Sequence, residues 1–156
     1  MSPFDALAED FLAQKRIAVA GVSSGGKGTG NIIFKALRDR GYEVFPVNPR
    51  AETIDGAPCY ASVKDLPGGV GGVVIVTSPQ ASEQIVHECV EAGIPRVWMH
   101  YNPLFGKGNS SASEAGAAYG REHGLTVIEG GCPLMFVDIP HKCMRWLLGV
   151  FKRLPA

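Results

Sequence analysis

A glycine-rich segment that follows the first apolar run of the chain has the composition of a phosphate-binding turn. The run "IAVA" at 17–20 leads directly into "GVSSGGKGTGN" at 21–31, where five of eleven residues are glycine and Lys27 is the single cation. A strand that enters such a turn and continues as a helix presents free backbone N–H groups beside the positive end of the helix dipole. The segment therefore predicts a phosphate or pyrophosphate ligand, with a ligand-free turn as the alternative.

A nucleoside triphosphate is the first ligand that this turn suggests, and the sequence disfavours it. Gly21, Gly26 and Lys27 match G-x-x-x-x-G-K, but Gly28 occupies the position at which Ser or Thr ligates Mg²⁺. Thr29 comes one residue late. None of the predicted strands ends in the aspartate that would help to hold the metal. Phosphoryl transfer is therefore not the predicted chemistry.

The end of the second predicted strand distinguishes among dinucleotides and related ligands. A typical NAD site has an acidic residue about 20 positions after a G-x-G-x-x-G turn, and this residue binds the ribose hydroxyls. This chain lacks G-x-G-x-x-G and has Asn48-Pro49-Arg50 at that place. A cation there suits a ligand that carries a phosphate on its ribose. The sequence therefore leaves NADP and coenzyme A (CoA) as the two candidate ligands.

Strand-like and helix-like segments alternate along the chain and must position these residues. Short runs rich in Val and Ile predict strands at 16–22, 42–49, 70–79, 95–101 and 125–131. Segments with apolar residues on one helical face predict helices at 2–14, 30–41, 80–93, 111–124 and 138–154. This alternation predicts an α/β, Rossmann-like doubly wound domain, with a parallel five-stranded sheet and helices on both faces. Ligands of such sheets lie at the carboxyl ends of the strands, which here are 21–31, 48–51, 77–80, 100–108 and 130–133.

Composition and charge limit the class of protein. The 156 residues fit one domain, and 15 Lys and Arg balance 15 Asp and Glu. This balance argues against nucleic acid or an anionic membrane as the partner, because both require an excess of basic charge. The chain has no run of 18 apolar residues, so no transmembrane helix is predicted. Its first residues do not have the pattern of a signal peptide. Its four cysteines form no C-x-x-C pair. We therefore expect a cytoplasmic protein with reduced thiols and a small-molecule nucleotide ligand.

Four segments of the chain form a recognisable set when they are taken together. The segments are "VAGVS", "GYEVFPVNPR" with its downstream "IDGAPCYASVKDLP", "VVIVTSPQASEQIVHECVEAGIPRVWM" and "GLTVIEGGCP". In this order they resemble the CoA-binding domain proteins, which are small stand-alone Rossmann-like proteins. The resemblance covers roughly residues 14–135, and "VNPR" with "GAPCYAS" is its most specific piece. The chain is more distantly similar to the CoA-binding domain of the succinyl-CoA synthetase alpha subunit.

The resemblance implies a role for each strand tip. The residues implied at the CoA pyrophosphate are Gly21, Ser23, Ser24, Gly28, Thr29 and Gly30, with Lys27 as a further phosphate contact. Those implied at the adenosine and its 3′-phosphate are Asn48, Pro49 and Arg50, and those implied at the wall beside the ligand are Thr77, Ser78 and Pro79. Each assignment has a structural alternative: a turn without a ligand, solvated charges for Lys27 and Arg50, and a helix cap for Ser78.

Two further tips lie where the resemblance places the pantetheine arm of CoA. The chain has "HYNPLFGKGNSSAS" and "EGGCPLMFVD" where the family usually has apolar-Gln-x-Gly and Asp-Arg-Cys. His100 and Cys132 belong to these tips and are predicted to contact this end of the ligand. Cys132 is either a reactive thiol that could pair with the CoA thiol or a structural cysteine. His100 and Cys132 could also form a dyad, although no third orienting group is apparent.

The predicted function is therefore binding of CoA or an acyl-CoA by a sensor or carrier that has no catalysis of its own. The alternatives are a small NADP-dependent oxidoreductase, with Tyr101 or His100 as proton donor, and an interaction module with a vestigial pocket. No cysteine and histidine spacing matches a zinc site, so no metal is predicted. The predicted C-terminal helix is apolar on nearly all sides, which indicates either core packing or a homodimer contact.

Overall fold

Five parallel strands form the central sheet of the computed structural model, which describes residues 2–101 and 110–137. The strands are β1 Arg16–Ala20, β2 Glu43–Val47, β5 Gly72–Ile75, β6 Arg96–Met99 and β7 Thr126–Glu129. Their spatial order is β2-β1-β5-β6-β7, and every pairing in this sheet is parallel. The predicted α/β, Rossmann-like five-stranded parallel sheet is confirmed.

The strands carry continuous apolar runs because both faces of the sheet are covered. All four residues of β5 are buried, as are the last four of β1. A sheet covered on both sides has no polar face, so its strands do not alternate between apolar and polar residues. Ala20 pairs with Val47 on one side and with Ile75 on the other. The carboxyl ends of β1, β2 and β5 therefore lie at the same level, and the loops that follow them are neighbours.

Helices pack on both faces of the sheet, as predicted. The helices α1 Pro3–Leu12 and α2 Thr29–Asp39 contribute to one core, and α3 Pro79–Ala92 and α4 Glu114–Glu122 to the other. The first core is centred on Trp98, whose ring makes edge contacts with Phe4 and Phe11 at centroid distances of 6.0 and 5.4 Å. A short helix, α5 Leu134–Val137, follows β7. No helix in the described ranges has the length and apolarity needed to cross a membrane.

The connection order reverses direction at β1. The chain passes from β1 to β2 at one edge and then returns to β5 on the opposite side of β1. In open parallel sheets such a reversal leaves a crevice at the carboxyl ends of the strands, where ligands bind. The loops after β1 and β5 border this crevice.

The connector between the second and third predicted strands contains elements that the sequence analysis missed. A two-stranded antiparallel hairpin joins β3 Thr53–Ile54 to β4 Ala57–Pro58, and a 3-10 helix spans Val63–Asp65. Asp55 and Gly56 make the hairpin turn with positive φ of 48° and 77°, a dipeptide typical of such turns. Strands of two residues are too short to produce a periodic pattern, so only the Asp-Gly pair could have indicated them.

Several predicted strands extend beyond the strands that the structure shows. The strands predicted at 16–22 and 70–79 end at Ala20 and Ile75, because the following residues leave the sheet to form the tips. The helix predicted at 111–124 begins at Glu114, after Ser113 as its N-cap. The helix predicted at 138–154 lies outside the described residues, as does most of the tip at 100–108.

Candidate functional site

Glycine is required at two positions of the glycine-rich turn, because another backbone segment lies too close there to leave room for a side chain. Gly21 has a φ of 102°, and a Cβ atom there would lie 2.0 Å from the carbonyl oxygen of Val76. A Cβ atom on Gly30 would lie 2.5 Å from the carbonyl oxygen of Gly21. The turn therefore presses α2 against the ends of β1 and β5. Gly25, by contrast, has open space around it.

The turn is closed by hydrogen bonds between Ser23 and Asn31. The Ser23 backbone N–H donates to Asn31 Oδ1 at 2.8 Å, and Asn31 Nδ2 donates to the Ser23 carbonyl at 2.9 Å. The Ser23 hydroxyl donates to the Lys27 carbonyl at 2.7 Å and lies 3.1 Å from Asn31 Oδ1. Asn31 is only 1% exposed. Asn31 was not among the site residues predicted from the sequence, although its place three positions before buried Phe34 was a possible indication.

The first turn of α2 has no side-chain cap. Its N-cap is Gly28, with a φ of 111°. The helices α1, α3 and α4 are capped instead by Ser2, Ser78 and Ser113, each of which accepts a hydrogen bond from a first-turn N–H group. The uncapped N–H groups of α2 lie beside the exposed residues of the turn and are suited to an anion. The exposed residues of the turn include Ser24, Lys27, Gly28 and Thr29.

Asn48 joins the tip of β2 to the tip of β1. Its Nδ2 donates to the Val22 carbonyl at 2.7 Å, and its Oδ1 accepts from the Arg50 backbone N–H at 2.8 Å. Both ends of this side chain are therefore engaged within the protein. The Arg50 side chain is exposed, and its guanidinium makes no hydrogen bond with any described residue. Of the residues in "VNPR", Arg50 is the one whose donors are available to a ligand.

A cavity of about 530 Å³ lies between these tips and α3. It brings together five of the predicted site residues, namely Gly21, Asn48, Pro49, Arg50 and Thr77. The helix α3 contributes four lining residues that the sequence analysis did not propose: Ala81, Gln84, Ile85 and Glu88. The volume is in the range of small-molecule sites. The position between the ends of β1, β2 and β5 is the one that the reversal of strand order predicts.

The remaining predicted residues do not line this cavity. Ser23, Ser24, Lys27, Gly28, Thr29 and Gly30 form the adjoining turn and the start of α2. Ser78 and Pro79 begin α3, where Ser78 Oγ accepts from the Ala81 N–H at 3.3 Å. The helix-cap interpretation of Ser78 is therefore confirmed. His100 and Cys132 lie at the ends of β6 and β7.

Buried hydroxyl groups hold the β5 tip in place. Thr77 Oγ1 lies 2.9 Å from Ser82 Oγ, and the Thr77 backbone N–H donates to Ser111 Oγ at 3.0 Å. The Ser111 N–H in turn donates to the His100 carbonyl at 2.9 Å, which ties the β5 and β6 tips together. Ser111 and Ser82 are both buried. Neither serine was predicted from the sequence, because their hydrogen-bond partners lie on other loops.

His100 is buried and electrically neutral. The side chain is 4% exposed, and its Nδ1 has no hydrogen-bond partner among the described residues. Burial lowers the pKa of His100 from 6.5 to about 4, because the imidazolium would lose its hydration. At neutral pH the residue therefore has no charge to offer a phosphate.

Cys132 is a buried thiol rather than a thiolate. It is 3% exposed, and burial raises its pKa to about 11 despite the opposing backbone N–H groups of Leu134 and Met135. A thiolate–imidazolium pair with His100 is disfavoured, because the thiol holds its proton far more tightly than the imidazole would. The structural-cysteine interpretation of Cys132 fits these properties. The described residues contain no group of three His, Cys, Asp or Glu able to hold a metal.

The parallel sheet, the glycine-rich turn and the cavity at the reversal point together define a Rossmann-like α/β domain with a nucleotide-sized crevice. The family model described as CoA binding domain matches residues 15–138, and the chain belongs to this family. The resemblance proposed from the sequence is thus confirmed.

Curated relatives share part of the chain. It is 39% identical over 88 residues to the alpha subunit of acetate–CoA ligase [ADP-forming] II of Pyrococcus furiosus, a match that covers 56% of this chain and 19% of that protein. It is 32% identical over 84 residues to the uncharacterized protein YneT of Bacillus subtilis, a match that covers 54% of this chain and 62% of that protein. The matched region is thus about a fifth of the ligase subunit.

Solved structures share the fold over most of the chain. A hypothetical protein from Pyrococcus horikoshii OT3 has a TM-score of 0.75 and 28% identity, with 85% of this chain and 88% of that chain covered. The apo form of dinucleotide-forming acetyl-coenzyme A synthetase 1 of Ca. Korarchaeum cryptofilum has a TM-score of 0.62 and 27% identity. That match covers 72% of this chain and 25% of the synthetase. The fold is therefore found both in a chain of similar size and as part of a larger enzyme.

Proposed function

We propose that this protein binds CoA or an acyl-CoA in the cavity between the strand tips and α3. The observation that carries the proposal is that Gly21, Arg50 and Thr77, from three different strand tips, line one cavity of about 530 Å³. The chain also belongs to the CoA binding domain family. In this proposal the cavity holds the adenosine, and the glycine-rich turn beside it holds the pyrophosphate.

The pyrophosphate is proposed to lie at the first turn of α2. The N–H groups there have no side-chain cap, and the helix dipole adds partial positive charge at the same place. Lys27 and Thr29 are exposed beside it. An anion in this position would accept the hydrogen bonds that a serine side chain accepts in α1, α3 and α4, without any requirement for magnesium.

Arg50 is proposed to bind the 3′-phosphate of the CoA ribose. Its backbone is fixed by Asn48 at 2.8 Å while its side chain remains exposed at the rim of the cavity. A guanidinium can donate two parallel hydrogen bonds to a phosphate, which adds both energy and orientation. The 3′-phosphate is thus the ligand group that distinguishes CoA from dephospho-CoA at this site.

The proposed role is that of a sensor or carrier rather than an enzyme. Support comes from His100 and Cys132, two of the candidates for proton transfer or nucleophilic attack. His100 has a pKa of about 4, and the Cys132 pKa is about 11, so neither group is suited to exchange a proton near neutral pH. We further propose a cytoplasmic location and a small-molecule partner without nucleic acid or membrane, and a homodimer as the oligomeric state.

Calorimetric titration with CoA, dephospho-CoA and NADP tests this function. CoA should bind roughly tenfold or more tightly than dephospho-CoA, because the Arg50–phosphate contact is a charge-assisted hydrogen bond. CoA should also bind more tightly than NADP. Equal affinity for NADP would favour the oxidoreductase alternative, and no binding of any of the three would favour an interaction module. Native mass spectrometry of the freshly purified protein would identify a co-purified ligand directly.

A further inference from the structure

The wall of the cavity that α3 provides contains an unusual pair of polar side chains. Gln84 and Glu88 are four residues apart, so they project from the same face of the helix on successive turns. Both line the cavity, with Ala81 and Ile85 between and beside them. The wall therefore combines an apolar surface with one amide and one carboxylate.

Neither polar side chain makes a hydrogen bond within the described part of the protein. The charge of Glu88 acts on Lys64 only at longer range, without an ion pair between the two side chains. The next acidic residue on this face, Glu91, behaves differently: its Oε2 accepts from Lys64 Nζ at 3.1 Å. A half-buried carboxylate that lines a cavity and accepts no hydrogen bond from the protein is well suited to accept hydrogen bonds from a ligand.

We propose that Gln84 and Glu88 read the amino edge of the adenine base, an inference that rests on the proposed function. The Glu88 carboxylate accepts from the exocyclic N6 amino group, and the Gln84 amide hydrogen-bonds an adjacent ring nitrogen. Glutamine and glutamate recognise exposed base edges in this way, because adenine presents a donor beside an acceptor. An oxygen at C6 of the purine would face the carboxylate instead and would be rejected.

Electrostatics supports the same orientation of the ligand. Glu88 would repel a phosphate, whereas Arg50 and the first turn of α2 attract one. Both Glu88 and Arg50 line the same cavity. The cavity therefore has a negative charge on its α3 wall and a positive charge at the β2 tip. A nucleotide binds with the more favourable electrostatic energy when its base lies at the α3 wall and its phosphates lie at the β2 tip.

The test compares CoA with 1,N6-etheno-CoA, whose bridged base has lost the N6 donor. Wild-type protein should bind CoA roughly tenfold more tightly, since a good base contact provides about 1–3 kcal/mol. Glu88→Ala should lose most of its affinity for CoA and little for etheno-CoA, so that the preference disappears. Glu91→Ala is the matched control, because it removes an equal charge from the same helix outside the cavity.

The outcomes separate this inference from the function on which it rests. If wild-type protein binds CoA but binds etheno-CoA equally well, base reading is wrong and CoA binding stands. If Glu88→Ala binds CoA more tightly, the carboxylate opposes the ligand and the inference is likewise wrong. Tighter binding of guanosine 3′,5′-bisphosphate than of adenosine 3′,5′-bisphosphate would overturn the choice of base. No binding of CoA to wild-type protein contradicts the proposed function itself.

Discussion

Asn31 holds the backbone of Ser23 on both sides, with its Oδ1 accepting the Ser23 N–H at 2.8 Å and its Nδ2 donating to the Ser23 carbonyl at 2.9 Å. A buried side chain on α2 therefore fixes the shape of the turn that precedes this helix. The turn's form depends more on this amide than on the serine hydroxyl, because the hydroxyl could be removed without breaking either backbone contact.

Replacement of this amide should damage both stability and binding. Asn31→Ala leaves a donor and an acceptor of Ser23 without partners, which costs about 1–3 kcal/mol. We expect the melting temperature to fall by roughly 5 °C and CoA affinity to fall more than about tenfold. Ser23→Ala is the control and should change both quantities much less. Equal effects of the two substitutions in thermal melts and calorimetry would contradict this account of the turn.

The close approach of Gly30 to Gly21 predicts a steric penalty at position 30. Alanine is the better helix former by about 1 kcal/mol, but its Cβ would lie 2.5 Å from the carbonyl oxygen of Gly21, a residue whose N–H donates to the Val47 carbonyl at 3.2 Å. We expect Gly30→Ala to be destabilising by about 1–3 kcal/mol in denaturant unfolding. Gly25→Ala meets open space and should change the unfolding free energy by less than about 0.5 kcal/mol. A stabilised Gly30→Ala protein would show that the turn can relax.

Removal of the Arg50 guanidinium should affect only ligands that carry a 3′-phosphate. Arg50→Ala should bind CoA roughly tenfold to a hundredfold more weakly, because it loses charge-assisted hydrogen bonds. Its affinity for dephospho-CoA should stay close to that of the wild type. Arg38→Ala removes a charge near Asp55, outside the cavity, and serves as the control in the same calorimetric series. Parallel losses for both ligands would place Arg50 elsewhere than at the 3′-phosphate.

Burial of His100 predicts a loss of stability in mild acid. The folded protein keeps this imidazole neutral until its pKa of about 4, whereas the unfolded chain takes up the proton near 6.5. The neutral His100 therefore contributes to the free energy of unfolding above pH 6.5. This contribution of up to about 3 kcal/mol is lost as the pH falls from 6.5 towards 4. His100→Gln should flatten the curve of unfolding free energy against pH in this window. His123→Gln, at an exposed position, is the control in the same unfolding series.

Burial of Cys132 predicts an unreactive thiol. With its pKa raised to about 11, very little thiolate exists at pH 7–8, and the side chain is shielded from reagents. Iodoacetamide should label Cys132 in unfolded protein but not in folded protein, as judged by mass spectrometry of peptides. Half-buried Cys59 provides an internal comparison and should be labelled first. Rapid labelling of Cys132 in the folded state would revive the possibility of a disulfide with CoA.

The sequence predicted the features that local patterns determine. Val- and Ile-rich runs identified the five strands, and the density of glycine at 21–30 located the turn. The side chains that complete the site depend on tertiary contacts. Asn31, Gln84 and Glu88 look like ordinary helical polar residues until the direction of each helix face is known. The burial of His100 could not be predicted either. The sequence pattern around a histidine at a strand end is the same whether the side chain faces solvent or a neighbouring loop.

The hydrogen bond from Asn48 to the Val22 carbonyl joins the loop after β2 to the loop after β1. A ligand that enters the cavity therefore meets a preorganised site, and little of its binding free energy is lost to the conformational entropy of ordering a loop. Affinity differences among CoA analogues should then measure individual contacts rather than rearrangement. The side chain of Asn48 would thus contribute to affinity without any contact with the ligand through its polar atoms.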